Sequence, residues 1–544
     1  MTDAGRTIAE RLADAEPTDP ARLDGLIDRL TTAGRLRGAR LDGRAIGPRG
    51  LAAVEVRGVT DDSREVWPGA LFVAIDGGHV DGHAFVARAA DAGAAAAIVE
   101  RALPDVALPQ LIVDRSQPAV AIAASWWYGD PSRELAVVGI TGTDGKTTTS
   151  FLATAALEAA GVRTGMIGTA STRIGGTQEP NEEHATTPGA PRLQAGLRAM
   201  AGGGDRAAVI ETTSHGLALD RVGGIGYDIA ILTNVSHEHL EFHGSWDAYV
   251  DAKLSLFERL GREPAVGPKP DGVGWPRTGI VNADDPLAGR FIGVTQEAGA
   301  RVLSYGTDPS ADVRATRIEE DASRLRVAYE APSGAATLDL RLAGRFNAHN
   351  ALAVVALGEA VGLDPAAVRD GLASLELVPG RMERVELGQP FGVVVDYAHS
   401  PASLGTVLDL LAPVAAARGG GVVAVFGSAG ERDTAKRPLM GRIAAERARL
   451  VIVTDEDPRG EDRDAILDEI ARGAEAGGKR RGHDLLLIAD RRAAIEAAFE
   501  RARPGDIVLL AGKGHERSII GAAGAVPWDE RSEAETTLRH MGYG

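Results

Sequence analysis

No cysteine occurs anywhere in the 544 residues, which excludes disulfides, thiolate metal sites and a cysteine nucleophile and fits a reducing compartment. Aromatic residues are scarce at 4%, but the hydrophobic share of 44% is ordinary for a soluble globular protein, so disorder is not expected. Basic residues number 59 against 76 acidic ones, leaving a net charge of −17. That balance argues against nonspecific binding to nucleic acid, which needs a basic face, while leaving room for local basic pockets that take small anions. Long apolar runs are also missing: the first thirty residues are broken by Asp3, Arg6, Glu10 and Arg11, and no stretch is long enough to span a bilayer. Neither a secretory signal nor a membrane partner is predicted, and the cytoplasm is the expected location. A chain of this length should hold three or four domains of about 150 residues each.

What is present begins with "AVVGITGTDGKTTTSFLATAALEAAG", Ala136 to Gly161. A strict phosphate loop, G-x-x-x-x-G-K-[ST], needs a glycine where Ile140 stands, so the register is off. The chemistry survives the offset. A β-branched run (Val137, Val138, Ile140) leads into Gly142, Thr143 and Gly145, then Lys146, Thr147 and Thr148, then a helix-forming stretch. Strand, tight loop and helix start present backbone N–H groups to a polyphosphate, with Lys146 as a point charge and the Thr147 hydroxyl placed for Mg²⁺.

Short strands and Ala-rich helices are predicted from Val54 to Val113, and "YGDPSREL" punctuates a first boundary near Arg133. Beyond it, "AAVIETTSH", "YDIAILTNVSHEH" and "GIVNADD" read as buried parallel strands ending in polar residues, where open α/β sheets bind ligands. Gly261 to Gly279, rich in proline and glycine, reads as a mobile surface loop, and Leu338, Leu340 and Leu342 alternate as in a half-exposed strand. After a helical run from His349 to Leu377, a second boundary falls near Pro379. The runs "GVVVDYAHS", "GVVAVFGSAG", "RLVIVTDEDP" and "DIVLLAGKGHE" then predict a second doubly wound unit.

Strand ends gather Glu211, Ser214, His215, Asn234, His237, His239 and His243. The spacing of His237, His239 and His243 invites a zinc reading. Magnesium suits a phosphate loop better, because Thr147 and Glu211 are oxygen donors and one imidazole suffices beside them.

"GTDGKTTT", "ETTSHGL", "LTNVSHEHLEFHGSWDAYVDAKLSLF", "GRFNAHNALAVVAL", "VPGRMERV", "DYAHSPASL", "VFGSAGERDTAKRPLMG", "TDEDPRGED" and "LLAGKGHE" occur in this order along nearly the whole chain. Together they resemble the Mur ligase family, and its MurE-type members in particular. The resemblance implies an α/β protein of three domains: a small N-terminal α/β uridine-binding domain (1–132), a central P-loop-type ATPase domain with a mostly parallel sheet (133–378), and a C-terminal Rossmann-like domain that binds an amino acid (379–544). It implies an ATP- and Mg²⁺-dependent ligase that activates the carboxylate of UDP-MurNAc-L-Ala-D-Glu as an acyl phosphate, which the amine of a diamino acid attacks. The partners implied are those two small molecules alone, with the protein expected to be a monomer.

The resemblance also assigns roles. Thr147 and Glu211 serve one metal and His239 another, with Lys146 on the phosphates; Lys253 in "YVDAKLSLF" matches a lysine carbamylated by CO₂. Asn347 meets the adenine, Arg381 the phosphates and Asp396 the ribose. Ser63, with Arg64, falls in the uridine segment "TDDSREVWPGALFVAI"; Thr186, Thr187, Ser214 and Arg221 hold the muramoyl dipeptide; Arg432, Asp457, Arg459, Gly512 and Glu516 line the amino-acid pocket. Asp144 replaces the family's usual Asn, and its carboxylate is expected to face solvent. Where diaminopimelate-using members carry D-N-P-R, this chain has Glu456, Asp457, Pro458 and Arg459. Arg459 suits a distal carboxylate, whereas a negative Asp457 favours a side-chain ammonium alone, as in lysine or ornithine. A MurF-type or folylpolyglutamate synthetase-type ligase, or a nucleotide-driven switch, would use the same loop.

Overall fold

The run Ala136–Thr141 is buried at every residue, as a β-branched strand covered on both faces must be. This computed structural model describes residues 5–77, 80–181, 185–236, 238, 240–261, 267–320 and 324–544. Within them Ala136–Thr141 lies inside an eleven-stranded sheet. Its parallel core runs in the order Thr164–Ile167, Ala207–Glu211, Ala136–Thr141, Ile229–Leu232, Thr278–Asn282, Arg301–Gly306. The register sets Glu211 beside Ile140 and Leu232 beside Thr141, so the polar strand ends share one edge with the phosphate loop. Both sides of the sheet are extended: antiparallel Ser171–Ile174 and Thr177–Pro180 at one, and at the other Val313–Glu320, which joins Arg301–Gly306 in parallel, followed by antiparallel Leu325–Ala331 and Gly334–Leu340. Leu338 and Leu340 point into the core, as their alternation predicts, and Leu342 is buried just past the strand end.

The predicted helical run beyond His349 is two helices, Phe346–Val361 and Pro365–Ser374. They part at Gly362, whose φ of 72° ends the first, and at Pro365, which fits only the first turn of the second. Of the predicted Gly261–Gly279 loop, 262–266 lie outside the described residues, and the rest forms no strand before Thr278.

Pairing in the N-terminal six-stranded sheet is parallel from Val59–Thr60 through Leu71–Val73 and Ala96–Val99 to Gln110–Val113, then antiparallel to Leu36–Leu41 and Arg44–Ile46. In the C-terminal sheet the order is Glu383–Arg384, Gly392–Asp396, Ile507–Ala511, Val422–Phe426, Leu450–Val453, Leu485–Leu487, parallel except at the first pair. A separate two-stranded hairpin, Ser518–Gly521 with Gly524–Pro527, follows it.

One apolar core runs without a break from Ile8 through Trp127 to Phe291 and so joins the N-terminal and central sheets. The C-terminal sheet instead has cores of its own on its two faces. Among the described residues no helix is long and apolar enough to cross a membrane.

Candidate functional site

Two glycines make the phosphate loop possible. Gly142 has φ of 154°, and a Cβ there would lie 1.8 Å from the Thr233 hydroxyl; Gly145 has φ of 85°, and its Cβ would lie 2.5 Å from Asn350 Oδ1. The helix Lys146–Ala159 starts directly after Gly145, which aims its free N–H groups at the loop. Neighbouring strand ends staple the loop in place: Thr143 N–H donates to Asn234 O (2.8 Å), Asp144 N–H to Asn234 Oδ1 (3.0 Å), and Thr233 Oγ1 to Asp144 O (2.6 Å). Lys146 Nζ folds back on the carbonyls of Thr143 (2.8 Å) and Gly142 (3.1 Å). Thr148 is buried in the first turn. Asp144 is exposed, as expected, and its carboxyl feels the opposing charges of Glu238 on the one hand and of Lys146 and Arg381 on the other.

Glu211 is wholly buried beside this loop. The Thr147 hydroxyl donates to its Oε2 at 3.0 Å, and Thr169 N–H donates to its Oε1 at 2.9 Å. Two hard oxygen donors at a helix start fit a Mg²⁺ that also takes phosphate oxygens and water. His237 and His239 lie outside the described residues. His243 packs edge-on to Tyr249, with centroids 5.3 Å apart.

Lys253 is completely buried in the helix Trp246–Glu258. Its Nζ donates to Gly142 O at 2.7 Å and sits 4.4 Å from the centre of the Tyr249 ring. Burial, followed by the Lys146 charge, drives its pKa well below the ordinary lysine value.

Behind the loop, Asn347 donates to Ala343 O (2.7 Å) and accepts from Asn350 (2.9 Å). Across the cleft, Arg381 Nη2 reaches Thr147 Oγ1 at 3.3 Å and its guanidinium covers the Tyr397 ring at 4.7 Å. Asp396 accepts the N–H groups of Met382 and Ala398, each at 2.8 Å, and burial raises its pKa. Thr187 Oγ1 donates to Glu211 O (2.8 Å), and Thr187 O accepts from Arg221 (2.9 Å), whose charge also acts on Asp61 of the N-terminal sheet domain. Ser214 opens the short helix that Thr213 caps. Ser63 lies in the turn after Asp61, where Arg64 closes back on Asp62.

A cavity of about 340 Å³ lies between the central and C-terminal domains, with Thr169, Asn181 and Thr186 on one side and Tyr397, His515, Glu516 and Ser518 on the other. Glu516 accepts from the Tyr397 hydroxyl (3.2 Å) and pairs with Lys513. Lys513, completely buried, also pairs with Asp457 at 2.7 Å. Gly512, with φ of 101°, passes against Glu456, whose buried Oε2 has no hydrogen-bond partner; Arg459 Nε is likewise buried and unpaired. Arg432 is exposed at the end of the 427–435 loop.

Reading the sequence left out Thr233, Asn350 and Thr169, whose types and neighbours mark nothing as functional, and the buried Arg491, which donates to Asp455 O (2.9 Å) and Ala511 O (2.8 Å) beneath the amino-acid pocket. It was Arg437, fully buried and bonded to both Glu461 oxygens (2.7 and 2.8 Å), that could have been found, since a "KRP" opening a helix is an unusual place for two cations.

A phosphate loop at the strand ends of a parallel sheet, facing a separately cored Rossmann-like domain across a polar cleft, is the architecture of a nucleotide-using protein of three α/β domains. Comparison narrows this. The Mur ligase family catalytic domain matches residues 55–124, the Mur ligase middle domain 140–358, and the Mur ligase glutamate ligase domain 380–514. A UDP-N-acetylmuramyl-tripeptide synthetase of Roseiflexus sp. is 49% identical over 90% of this chain and 96% of its own length. A UDP-N-acetylmuramoyl-L-alanyl-D-glutamate–2,6-diaminopimelate ligase of Geobacter metallireducens is 38% identical over 90% and 96%. A solved structure of an enzyme of that second name superposes with a TM-score of 0.59 at 30% identity, covering 91% of this chain and 97% of its own. The chain belongs to the Mur ligase family, and the resemblance read from its motifs is borne out.

Proposed function

We propose that the protein joins meso-diaminopimelate to UDP-MurNAc-L-Ala-D-Glu at the expense of ATP, forming the tripeptide precursor of peptidoglycan. One observation carries this reading: a single cavity has Thr169, bonded to Glu211, and Thr186, bonded to Thr169, on one wall and Glu516 on the other. A carboxylate on the first wall and an amine on the second would meet beside the phosphate loop.

A D-glutamyl carboxylate oxygen attacks the γ-phosphorus, the bond to ADP breaks, and an acyl phosphate forms; the amine then attacks the acyl carbon, a proton leaves nitrogen, and phosphate departs. Carboxylate and polyphosphate repel each other, so catalysis is chiefly positioning and charge neutralisation. Lys146 and Arg381 supply cations on opposite sides of Thr147. Thr147 and Glu211 would hold Mg²⁺, which neutralises phosphate charge when bound, and His239 a second ion. Burial disfavours the ammonium form of Lys253, which suits it to react with CO₂ as the amine and become a carbamate. Ser63, Thr186, Thr187, Ser214 and Arg221 would seat the nucleotide sugar and dipeptide, and Asn347 and Asp396 the adenosine. The domains would meet at residues 132/133 and 378/379, and the protein would act as a cytoplasmic monomer.

The choice of diamino acid rests on two unpaired atoms. Glu456 Oε2 can accept from an ammonium, and Arg459 Nε can donate to a carboxylate; a side chain ending in both groups uses both. Asp457 does not weigh toward lysine or ornithine, because the Lys513 ammonium already neutralises it. The purified protein, given ATP, Mg²⁺ and UDP-MurNAc-dipeptide, should release ADP and form tripeptide with diaminopimelate in preference to lysine or ornithine. Lys146→Ala should abolish both products. ADP release with nucleotide alone would favour a switch, and faster tripeptide formation with lysine or ornithine would sink the side-chain assignment.

A further inference from the structure

The hairpin Ser518–Gly521/Gly524–Pro527 belongs to none of the large sheets, nor does the short pair Ala21–Arg22 with Glu55–Val56. An isolated two-stranded hairpin is marginal in water, and here every residue of its second strand is exposed. Something must fix it, since Ser518 and Ala525 form part of the wall of the interdomain cavity.

Beside the packing of Ile519 against the C-terminal apolar core, two hydrogen bonds fix the backbone of one residue of the hairpin. Ile520 N–H donates to Asp457 Oδ1 at 3.0 Å, and Ile520 O accepts from Arg459 N–H at 2.8 Å. The same Asp457 Oδ1 receives Lys513 Nζ at 2.7 Å. A fully buried ammonium is costly without compensation, so Lys513 holds Asp457 where it is. The neighbouring acid behaves differently: Glu456, equally buried, keeps Oε2 without a partner. Two adjacent carboxylates thus differ: Asp457 is engaged by the protein, while Glu456 keeps an unpaired oxygen.

We infer that Asp457 is a positioning residue, which with Lys513 clips the 518–527 hairpin to the Asp457–Arg459 segment and so sets the wall against which the amino acid binds, rather than pairing with that amino acid's ammonium. The clip itself is a property of the folded chain; its effect on the amino acid rests on the function proposed above. Arg459 shares the clip, since its own backbone is held through Ile520 while its left-handed φ of 54° turns the chain there.

The test uses the full chain with Asp457→Ala and with Asp457→Asn, which keeps an acceptor oxygen for Ile520. Hydrogen exchange of residues 518–527, without substrate, should quicken about tenfold in the alanine variant, the loss of one charge-assisted hydrogen bond, and distinctly less in the asparagine variant, which keeps the acceptor oxygen for Ile520 but not the charge. Michaelis constants for diaminopimelate, lysine and ornithine should rise together in the alanine variant and recover with asparagine, while that for ATP stays put. Unchanged exchange in Asp457→Ala overturns the clip. So does an asparagine variant that loses lysine or ornithine selectively, because that marks a direct contact, and this second arm still decides if the alanine variant does not fold. Failure of all three amino acids to react would refute the proposed function and leave the exchange result standing.

Discussion

At Lys253 the charged form is opposed by position. The side chain is fully buried, and Lys146 donates to the same Gly142 carbonyl, so the pKa falls well below the lysine norm. Only the free amine adds to CO₂, so a site that removes the proton also prepares the modification. Protein equilibrated with carbon-13 bicarbonate should show a carbamate resonance that Lys253→Ala lacks, and that variant should regain activity with a short carboxylate. A spectrum identical in both proteins would rule the carbamate out. The lysine itself was legible in its motif, as were Gly142, Gly145, Lys146 and Thr147, because spacing along one strand–loop–helix unit carries their chemistry. Thr233 and Asn350 were not: they act on the two glycines from distant segments, and only the sheet order brings them there. Asp457 shows the other kind of failure. Its charge was read correctly, but its partner Lys513 lies 56 residues away, so the pairing itself could not be read from the motif.

At the scale of elements, parallel strands were the most legible feature, since a buried β-branched run bounded by polar residues has few other meanings. The hairpins at 171–180 and 518–527 were missed because short, half-exposed strands carry little apolar signal. Equally hidden was the way the C-terminal strand ends are tied. Arg491 and Glu530, both with fully buried side chains, pair at 2.6 Å; Trp528 Nε1 donates to the same carboxylate at 2.6 Å, and the guanidinium spans the carbonyls of Asp455, just past the strand Leu450–Val453, and of Ala511, the last residue of the strand Ile507–Ala511. Glu530→Gln removes the compensating charge and leaves a guanidinium buried without it. The expected loss is about 3 kcal/mol or more from the C-terminal domain, measured by urea unfolding followed through Trp528 fluorescence. A shift below about 1 kcal/mol, typical of an exposed pair, would show that the ion pair carries little of the domain's stability.

Across the whole molecule, the N-terminal and central sheets share one apolar core, whereas the C-terminal domain meets them through polar contacts, Arg381 with Thr147 (3.3 Å) and His399 with Glu238 (3.8 Å), and His515 and Thr169 line the same interdomain cavity. Domain attachment should therefore respond to charge more than to apolar burial. Desolvation, aided by Lys436, lowers His399 to about 4; desolvation, aided by Arg381, lowers His515 to about 3. The ordinary value is 6.5. Above it both rings are neutral whether the domain is docked or free, and acidity has no purchase. Between 6.5 and about 4 the freed or unfolded state takes up protons that the docked state refuses, so docking weakens as pH falls through that window. The radius of gyration from solution scattering should accordingly grow between about pH 8 and about pH 5, and the thermal midpoint should drop. A variant carrying His399→Gln and His515→Gln should show a flatter response on both measures. Coincident pH profiles for parent and variant would assign the acid response to other groups and leave these two histidines without a part in holding the domains together.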